Sequence, residues 1–239
     1  MNTSDEVLRQ RQYYAATSRQ YDSMHGNRWD EHDFALSFLV AACDYLEARS
    51  VLDIGSGTGR AIRAFKERRP DIRIVGIEPV AELRERGYEQ GIQRHELVDG
   101  DAMQLMYKDR EFDVVCEFGV LHHVREPAKA VAEMLRVAKQ AIFISDSNNF
   151  GQGSRVSRTI KQILNACGLW RVADLVKTKG RGYTMSEGDG LAYSYSVFNN
   201  YKQIRKQCRQ IHLMNTKDGS FNLYRTADHV ALLGLKKAG

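Results

Sequence analysis

A glycine-rich turn near position 50 carries the clearest chemical signal in the chain. It reads VLDIGSGTG over residues 51–59, so three glycines alternate with other residues directly after an apolar run. Glycine lets a backbone approach a ligand closely because it has no side chain. If a strand enters this turn and a helix leaves it, free backbone N–H groups face the ligand. The motif predicts that Gly55, Gly57 and Gly59 line a binding site.

Asp53 indicates which kind of ligand would bind there. Dinucleotide sites show the spacing GxGxxG, whereas this turn reads GxGxG and has an acid two positions before its first glycine. A carboxylate so close would repel a pyrophosphate and would attract an ammonium or a sulfonium group. S-adenosylmethionine carries both groups, and its own carboxylate suits the N–H groups of the turn. We therefore expect S-adenosyl-L-methionine as the cofactor and disfavour an NAD-dependent oxidoreductase.

Two further acids follow at the spacing of successive strands. Glu78 ends the next apolar run, where a carboxylate can accept hydrogen bonds from ribose hydroxyls. Asp101 follows a weaker apolar segment, and its position suits contact with an adenine amino group, with Ala102 and Met103 against the ring. Three acids at the ends of successive strands are stronger evidence than a glycine turn alone.

Four segments of the chain resemble the successive motifs of class I S-adenosylmethionine-dependent methyltransferases. They are VLDIGSGTG, IVGIEP, DGDAM and FDVVCEFGVLHHV, and the likeness covers roughly residues 10–146. It is strongest to the group that includes ubiquinone and small-molecule methyltransferases. The resemblance implies an α/β fold with a Rossmann-like, seven-stranded, mostly parallel sheet. Helices would cover both faces, the last strand would be antiparallel, and a helical cap would precede the sheet.

The same resemblance implies roles for individual residues. The turn and Asp53 would contact the methionine moiety, Glu78 with Pro79 the ribose, and Asp101 the adenine. Glu117 and Phe118 would border the transferred methyl group. The segment YYAATSRQYD at 13–22 resembles an entry segment that closes over the cofactor, so Tyr14 and Tyr21 are further candidates; packing against the sheet is the alternative. A proline-glycine-glycine turn that is frequent in the family is replaced here by VAKQ at 137–140.

Methyl transfer is an in-line displacement that depends mainly on proximity and alignment. A hydroxyl acceptor also needs a general base, a task that suits histidine. His122 and His123 follow the fourth strand and are the candidate catalytic residues. His212 and His229 are rivals. The other interpretation is that the His122–His123 pair only lines the pocket.

Substrate contacts are expected after the fifth strand and in a long loop. Residues 178–197 contain four glycines interleaved with tyrosines, a composition that favours a substrate lid. The candidate substrate contacts are Asn148, Asn149, Tyr183, Tyr193 and Tyr195. We predict no metal site, because Asp146 has no evident carboxylate partner. The four cysteines form no CxxC pair and are expected to be reduced.

The elements that must position these residues alternate between apolar strands and amphipathic helices, which favours a mostly parallel sheet. Strands are predicted at 50–54, 72–77, 95–99, 112–118, 141–145, 210–215 and 229–235. Helices are predicted at 4–24, 31–48, 59–69, 80–90, 127–138, 154–167 and 198–209. We expect a single domain over 1–239, with a helical cap at 1–48, a cofactor-binding core at 49–146, substrate-side helices and a lid at 147–209, and terminal strands at 210–239.

Charge and hydropathy limit the function classes. No stretch approaches the roughly 20 apolar residues that span a bilayer, and the N-terminus is polar, so we expect a cytoplasmic protein. Residues 153–239 carry 15 Lys and Arg against 5 Asp and Glu. These basic residues either attract an anionic acceptor or are ordinary solvated surface charge.

The sequence favours methyl transfer to a small-molecule acceptor, at a hydroxyl oxygen of a sugar, a lipid-linked glycan or a secondary metabolite. A tRNA methyltransferase is the first alternative, supported weakly by the basic third and opposed by the lack of an appended RNA-binding module. A non-catalytic protein that only binds the cofactor is the second. The sequence does not indicate an oligomeric state.

Overall fold

The computed structural model describes residues 3–22, 30–218 and 220–237. Nine strands occur in these ranges: β1 (Ser50–Ile54), β2 (Arg73–Ile77), β3 (Leu97–Val98), β4 (Phe112–Phe118), β5 (Ala138–Ser147), β6 (Tyr183–Ser186), β7 (Gly190–Tyr193), β8 (Cys208–Asn215) and β9 (His229–Lys236). The helices are α1 (Thr3–Thr17), α2 (Glu31–Tyr45), α3 (Arg60–Arg68), α4 (Ala81–Glu89), α5 (Pro127–Val137), α6 (Arg155–Ala166), α7 (Trp170–Lys177) and α8 (Tyr201–Gln207). Short 3₁₀ turns cover Leu121–His123 and Val197–Asn200.

Seven strands form one sheet in the order β3-β2-β1-β4-β5-β9-β8. The first five run parallel, and β9 lies antiparallel to both β5 and β8. The strand order reverses between β1 and β4, which is where open α/β sheets form ligand crevices. This seven-stranded, mostly parallel sheet with a reversed last strand confirms the predicted fold class.

The central strands are largely buried because both faces of the sheet are covered. Successive residues of a strand point to opposite faces, and neighbouring residues here enter two different cores. Leu52 and Val115 pack into one core with residues of α5 and α8. Val51 and Val114 pack into the other with residues of α2 and α3. The sheet is thereby held between two helical layers, and its loops remain free to carry the site.

The structure departs from the predicted elements in several places. The helix predicted at 4–24 ends at Thr17, and residues 23–24 lie outside the described ranges. The segment 178–197, expected as a loop, contains the β6–β7 hairpin, and the helix α7 was not predicted. Strand β5 begins directly where α5 ends, at Ala138. Because residues 137–140 contain neither proline nor glycine, nothing interrupts the passage from helix to strand, and the register shift between Phe112 and Val114 of β4 absorbs the irregularity.

Candidate active site

Three buried acids lie at the carboxyl ends of neighbouring parallel strands. Asp53 belongs to β1, Glu78 follows β2, and Glu117 belongs to β4. Because β1 pairs with both β2 and β4, these side chains reach the same edge of the sheet. The glycine turn leaves β1 at this edge and ends where α3 begins.

Gly57 shows why the turn requires glycine. Its backbone has φ +57°, and a Cβ atom there would lie 2.5 Å from the hydroxyl of Tyr21. The Tyr21 ring therefore lies directly against the turn, and Tyr14 packs edge-on against it with ring centroids 5.7 Å apart. Both tyrosines line cavities together with Gly55. The structure thus brings the N-terminal tyrosines to the predicted binding turn.

Burial dominates the ionisation of these acids, although guanidinium groups lie nearby: Arg60 acts on Asp53, and Arg84 acts on Glu78. Burial raises the pKa of Asp53 to about 6, against the hydrogen bond from Ser56 Oγ at 2.5 Å. Burial likewise raises the pKa of Glu78 to about 7, although Gly57 N and Val80 N donate to its carboxylate at 3.0 and 2.9 Å. Burial, with the Asp146 carboxylate, raises the pKa of Glu117 well above its usual range. Buried carboxylates of this kind favour a ligand that brings positive charge.

Glu117 also has an oxygen with unused hydrogen-bonding capacity. Its Oε2 accepts from Val120 N at 2.8 Å, whereas its buried Oε1 has no hydrogen-bond partner among the described residues. Orphaned buried polar atoms are uncommon in native structures and point to a ligand. Cationic and hydroxyl groups of S-adenosylmethionine match the acids at this edge, so the residues fit that cofactor.

Two adjoining cavities are lined by most of the predicted cofactor-binding residues; Gly57, Gly59 and Glu117 are not among the lining residues. The first, of about 460 Å³, lies over the glycine turn and is lined by Asp53, Gly55, Arg60 and Phe118, among others. The second, of about 160 Å³, is lined by Glu78, Pro79, Asp101, Ala102 and Met103, among others. Tyr14, Tyr21, Gly55, Phe118 and His123 line both. The two cavities therefore adjoin, and predicted residues form much of their shared lining.

Asp101 has a partner that sequence reasoning missed. One carboxylate oxygen accepts from Met103 N at 2.8 Å, and the other lies 3.6 Å from the guanidinium of Arg11 on α1. Arg60, at the start of α3, was also missed; its guanidinium lies 3.1 and 3.2 Å from the two carboxylate oxygens of Asp30. It is a cationic group in the first cavity, where a carboxylate ligand could use it.

His122 lies between two carboxylates. Its Nδ1 is 2.7 Å from Asp146 Oδ1, and its Nε2 is 3.2 Å from Asp189 Oδ2. Burial disfavours the imidazolium, but the carboxylates of Asp146 and Asp189 outweigh burial and raise the pKa of His122 well above its usual range. Burial also acts to raise the pKa of Asp146, and His122 outweighs it, so that this pKa falls to about 2.

His123 is held as a neutral imidazole beside this pair. Its Nδ1 lies 2.6 Å from the carbonyl oxygen of Leu191, which can only accept, so Nδ1 carries the proton. Its Nε2 lies 2.9 Å from the hydroxyl of Tyr14 and 3.3 Å from Asp189. Burial, followed by the positive charge of His122, lowers its pKa.

Both histidines and Asp189 could also hold a metal ion. One ligand atom from each lies within 4.8 Å of the other two, and a divalent cation can use two imidazoles and a carboxylate. The prediction of no metal site considered only Asp146, because Asp189 reaches the histidines through the β6–β7 hairpin and is distant from them in the chain. That prediction stays untested.

A third cavity, of about 510 Å³, opens on the other side of His122. Asn149, Tyr193, Tyr195 and His229 line it, among others. His32, His122 and Asp189 line both this cavity and the first, and they therefore form the wall between the two. The first and third cavities therefore adjoin at His122.

Two neutral histidines lie at this wall: His32 forms part of it, and His229 lines the third cavity. Burial, then Arg60, lowers the pKa of His32 to about 4, and its buried Nδ1 has no hydrogen-bond partner among the described residues. Burial, then His32, lowers the pKa of His229 to about 3; Thr216 Oγ1 lies 2.7 Å from its Nδ1. Sequence reasoning missed His32, which stands on α2 outside every quoted motif.

Besides Gly57, Gly59 and Glu117, three predicted residues lie outside the cavity linings. Asn148 is fully buried: its amide donates to the carbonyl oxygens of Leu223, Tyr224 and Ala227, each at 2.9 Å. Its hydrogen bonds therefore order residues 223–227 instead of facing an acceptor. Tyr183, the first residue of β6, is buried outside these three cavities, and His212 is exposed on the edge strand β8.

Comparisons with known proteins agree with this geometry. Residues 52–144 match a family model described as a methyltransferase domain. A phosphatidylethanolamine N-methyltransferase of Cereibacter sphaeroides is 30% identical over 149 residues, which are 57% of this chain and 70% of that protein. A demethylmenaquinone methyltransferase of Deinococcus radiodurans is 38% identical over 95 residues, covering 37% of this chain and 38% of that protein. This chain therefore spans well under half the length of the latter relative.

Solved structures share the fold at low sequence identity. Magnesium protoporphyrin IX methyltransferase from Synechocystis PCC 6803 with bound SAH superimposes with a TM-score of 0.61 at 15% identity, over 98% of this chain and 100% of that one. The [4+2]-cyclase SpnF superimposes with a TM-score of 0.63 at 17% identity, over 95% and 96% of the two chains.

The fold and the acid-lined glycine turn define a class I, Rossmann-like protein. The chain belongs to the family of S-adenosylmethionine-dependent methyltransferases. Among the described residues, no helix has the length and apolarity that crossing a bilayer requires.

Proposed function

We propose that this chain transfers a methyl group from S-adenosylmethionine to a hydroxyl oxygen of a small amphiphilic acceptor in the third cavity. The observation that carries the proposal is the position of His122. It lies in the wall between the first and third cavities, with the buried carboxylate of Asp146 fixed behind its ring.

The residues of the first two cavities would bind the cofactor. Asp53 would compensate its positive charge, Glu78 would accept from its ribose hydroxyls, and Asp101 would face its adenine. Glu117, at the same edge of the sheet, would add a second carboxylate near the positive charge. When bound, S-adenosylmethionine supplies a methyl group already activated by its sulfonium. Because the buried carboxylates are fixed in advance by backbone and hydroxyl donors, little reorganisation accompanies binding.

His122 would act as the general base. Asp146 accepts the Nδ1 proton and so turns Nε2 toward the wall, the arrangement by which a carboxylate orients a catalytic imidazole. His122 must first release to solvent the Nε2 proton that it donates to Asp189. The neutral Nε2 would then take the acceptor's hydroxyl proton when the acceptor displaces Asp189. His123 is a positioning residue, since Leu191 and Tyr14 hold it on both ring nitrogens.

The acceptor is best sought among amphiphilic molecules. The third cavity combines tyrosines with polar walls, and its charged lining comprises four acids, Asp30, Glu31, Asp189 and Asp228, against the lysines Lys177 and Lys217. This lining does not favour the anionic acceptor that the basic third of the sequence suggested. The names of the two sequence relatives refer to a phospholipid and a quinone, which supports an acceptor with an apolar body.

The test is transfer of label from methyl-labelled cofactor to fractions of a cell extract, with mass spectrometry of the product. We expect label in the lipid or small-molecule fraction. His122→Asn should lower turnover roughly 10²–10⁴-fold, the usual contribution of a general base, with cofactor affinity retained. His95→Asn is the matched control, because His95 is exposed and remote from the cavities.

Three results would contradict the proposal. Full turnover in His122→Asn would exclude His122 as the general base. Label in tRNA would favour the nucleic-acid alternative. Cofactor binding without transfer to any fraction would indicate a non-catalytic binding protein.

A further inference from the structure

Helix α6 turns its polar face toward the protein and its apolar face outward. Arg158 donates to the carbonyl oxygens of Gly151 and Thr226, each at 3.4 Å. Gln162, one turn further along, donates to the carbonyl oxygens of Phe150 and Arg225, each at 3.0 Å. Most surface helices pack the opposite way, with the apolar stripe toward the core. The orientation of α6 therefore leaves its apolar stripe uncovered by the residues that the structure describes.

The outward stripe is continuous in sequence spacing. Val156, Ile160 and Ile163 follow one another at intervals of four and three residues, so they share one face of α6. Their exposed fractions are 70%, 52% and 58%. No residue of α6 is buried, so the apolar stripe is accessible to solvent along the helix.

Helix α7 extends the apolar surface. Val172, Leu175 and Val176 are exposed at 61%, 49% and 75%, and Leu169 in the connection is exposed at 52%. No residue of α7 is buried either. Seven large apolar side chains are thus exposed on one helical pair, α6–α7 (residues 155–177), and patches of this kind mark interaction sites.

The helical pair and the residues that flank it are also strongly basic. Residues 153–182 contain seven Lys and Arg and a single acid, Asp174. The exposed cations are Arg155, Arg171, Lys177, Lys179 and Arg181. Apolar side chains together with Lys and Arg are the pattern of helices that lie in the interface of an anionic membrane.

We infer that the helical pair α6–α7 docks this chain on an anionic phospholipid surface. The charge complementarity favours a lipid surface over a second copy of the chain, because two copies would bring like charges together. Lys177, the last residue of α7, lines the third cavity, so docking places that cavity beside the bilayer. Docking itself is independent of catalysis; delivery of an amphiphilic acceptor rests on the proposed function.

Co-sedimentation of the full chain with vesicles tests the inference. We expect binding to phosphatidylcholine vesicles that contain phosphatidylglycerol, weaker binding as salt increases, and little binding to phosphatidylcholine alone. Ile160→Glu and Ile163→Glu should each weaken the partition roughly tenfold or more. Each removes apolar area that docking would bury and adds a negative charge that the anionic surface repels. Phe221→Glu is the matched control, since Phe221 is fully exposed outside the helical pair and should partition as the unchanged chain does.

The variants carry exposed substitutions, and circular dichroism confirms that each is folded. Equal, weak binding to both vesicle types would overturn the inference. So would wild-type partition of Ile160→Glu, or a finding that Ile160→Glu only disrupts a concentration-dependent dimer. Binding is measured without cofactor, so a failure of methyl transfer leaves this result unaffected.

Discussion

His122 illustrates how single residues acquire their chemistry in this molecule. Asp146 comes from the end of β5 and Asp189 from the turn of the β6–β7 hairpin, and both contact the same imidazole. Asp146 is fully buried, whereas the side chain of Asp189 is 43% exposed. The inner carboxylate therefore fixes the ring from within, and in the proposed mechanism the outer one is displaced by the acceptor.

Asp189→Asn is expected to move the pH dependence of methyl transfer. The Asp189 carboxylate helps to raise the pKa of His122, so its removal lowers that pKa. The unprotonated base is then present at lower pH, and the acidic limb of kcat/KM should shift toward lower pH. The pH–rate profile of the variant measures this directly.

Glu187→Gln is the control, because Glu187 is an exposed acid in the same turn. A profile of Asp189→Asn that is unchanged, or that moves to higher pH, would exclude this electrostatic role of Asp189.

At the scale of elements, the β6–β7 hairpin connects the N-terminal helix to the active site. Gln10 of α1 accepts from Leu191 N of the hairpin at 2.5 Å, and Tyr193 donates to Glu6 of α1 at 2.7 Å. Glu6 is in turn 2.8 Å from Arg125. The hairpin is therefore held against α1, and that contact sets the position of Asp189.

Gly190→Ala should loosen the hairpin. Gly190 has φ +67°, and a Cβ atom would lie 2.6 Å from Tyr13 Cδ1 and 2.7 Å from Gln10 Oε1. Backbone strain alone costs about 1–3 kcal/mol, and the clash adds to it. We expect faster hydrogen exchange in β6, β7 and α1, with reduced turnover.

Gly188→Ala provides the comparison within the same turn, since its φ is unremarkable and no atom lies within 4 Å of the added Cβ. If Gly190→Ala and Gly188→Ala exchange hydrogen equally, the hairpin does not depend on this close approach.

At the scale of the whole molecule, local patterns predicted the sheet and the cofactor side of the site. The glycine turn, Asp53 and Glu78 are placed by strands that immediately precede them, so spacing along the chain was sufficient. The acceptor side could not be predicted in this way. Asp189 and His32 reach His122 only through packing of distant elements.

Helix α6 shows a further limit of sequence patterns. Its apolar spacing correctly predicted a helix, but spacing does not reveal which face meets the protein. The inward hydrogen bonds of Arg158 and Gln162 decide that orientation, and their acceptors are backbone carbonyls that no residue pattern marks. Asn148 is similar: its position after β5 suggested substrate contact, whereas its amide binds three carbonyls.

The central claim is that buried carboxylates at the sheet edge bind a cationic cofactor. Calorimetric titration of the chain with S-adenosylmethionine as a function of pH tests it most directly. Burial raises the pKa of Asp53 to about 6, so this carboxylate gains a proton as the pH falls through that value, and affinity for a cation should fall with it. Asp53→Asn should bind more weakly at neutral pH and lose part of this pH dependence, while Glu67→Gln, at an exposed position, should match the unchanged chain. No binding at neutral pH, or an affinity in Asp53→Asn equal to that of the unchanged chain at every pH, would contradict the account.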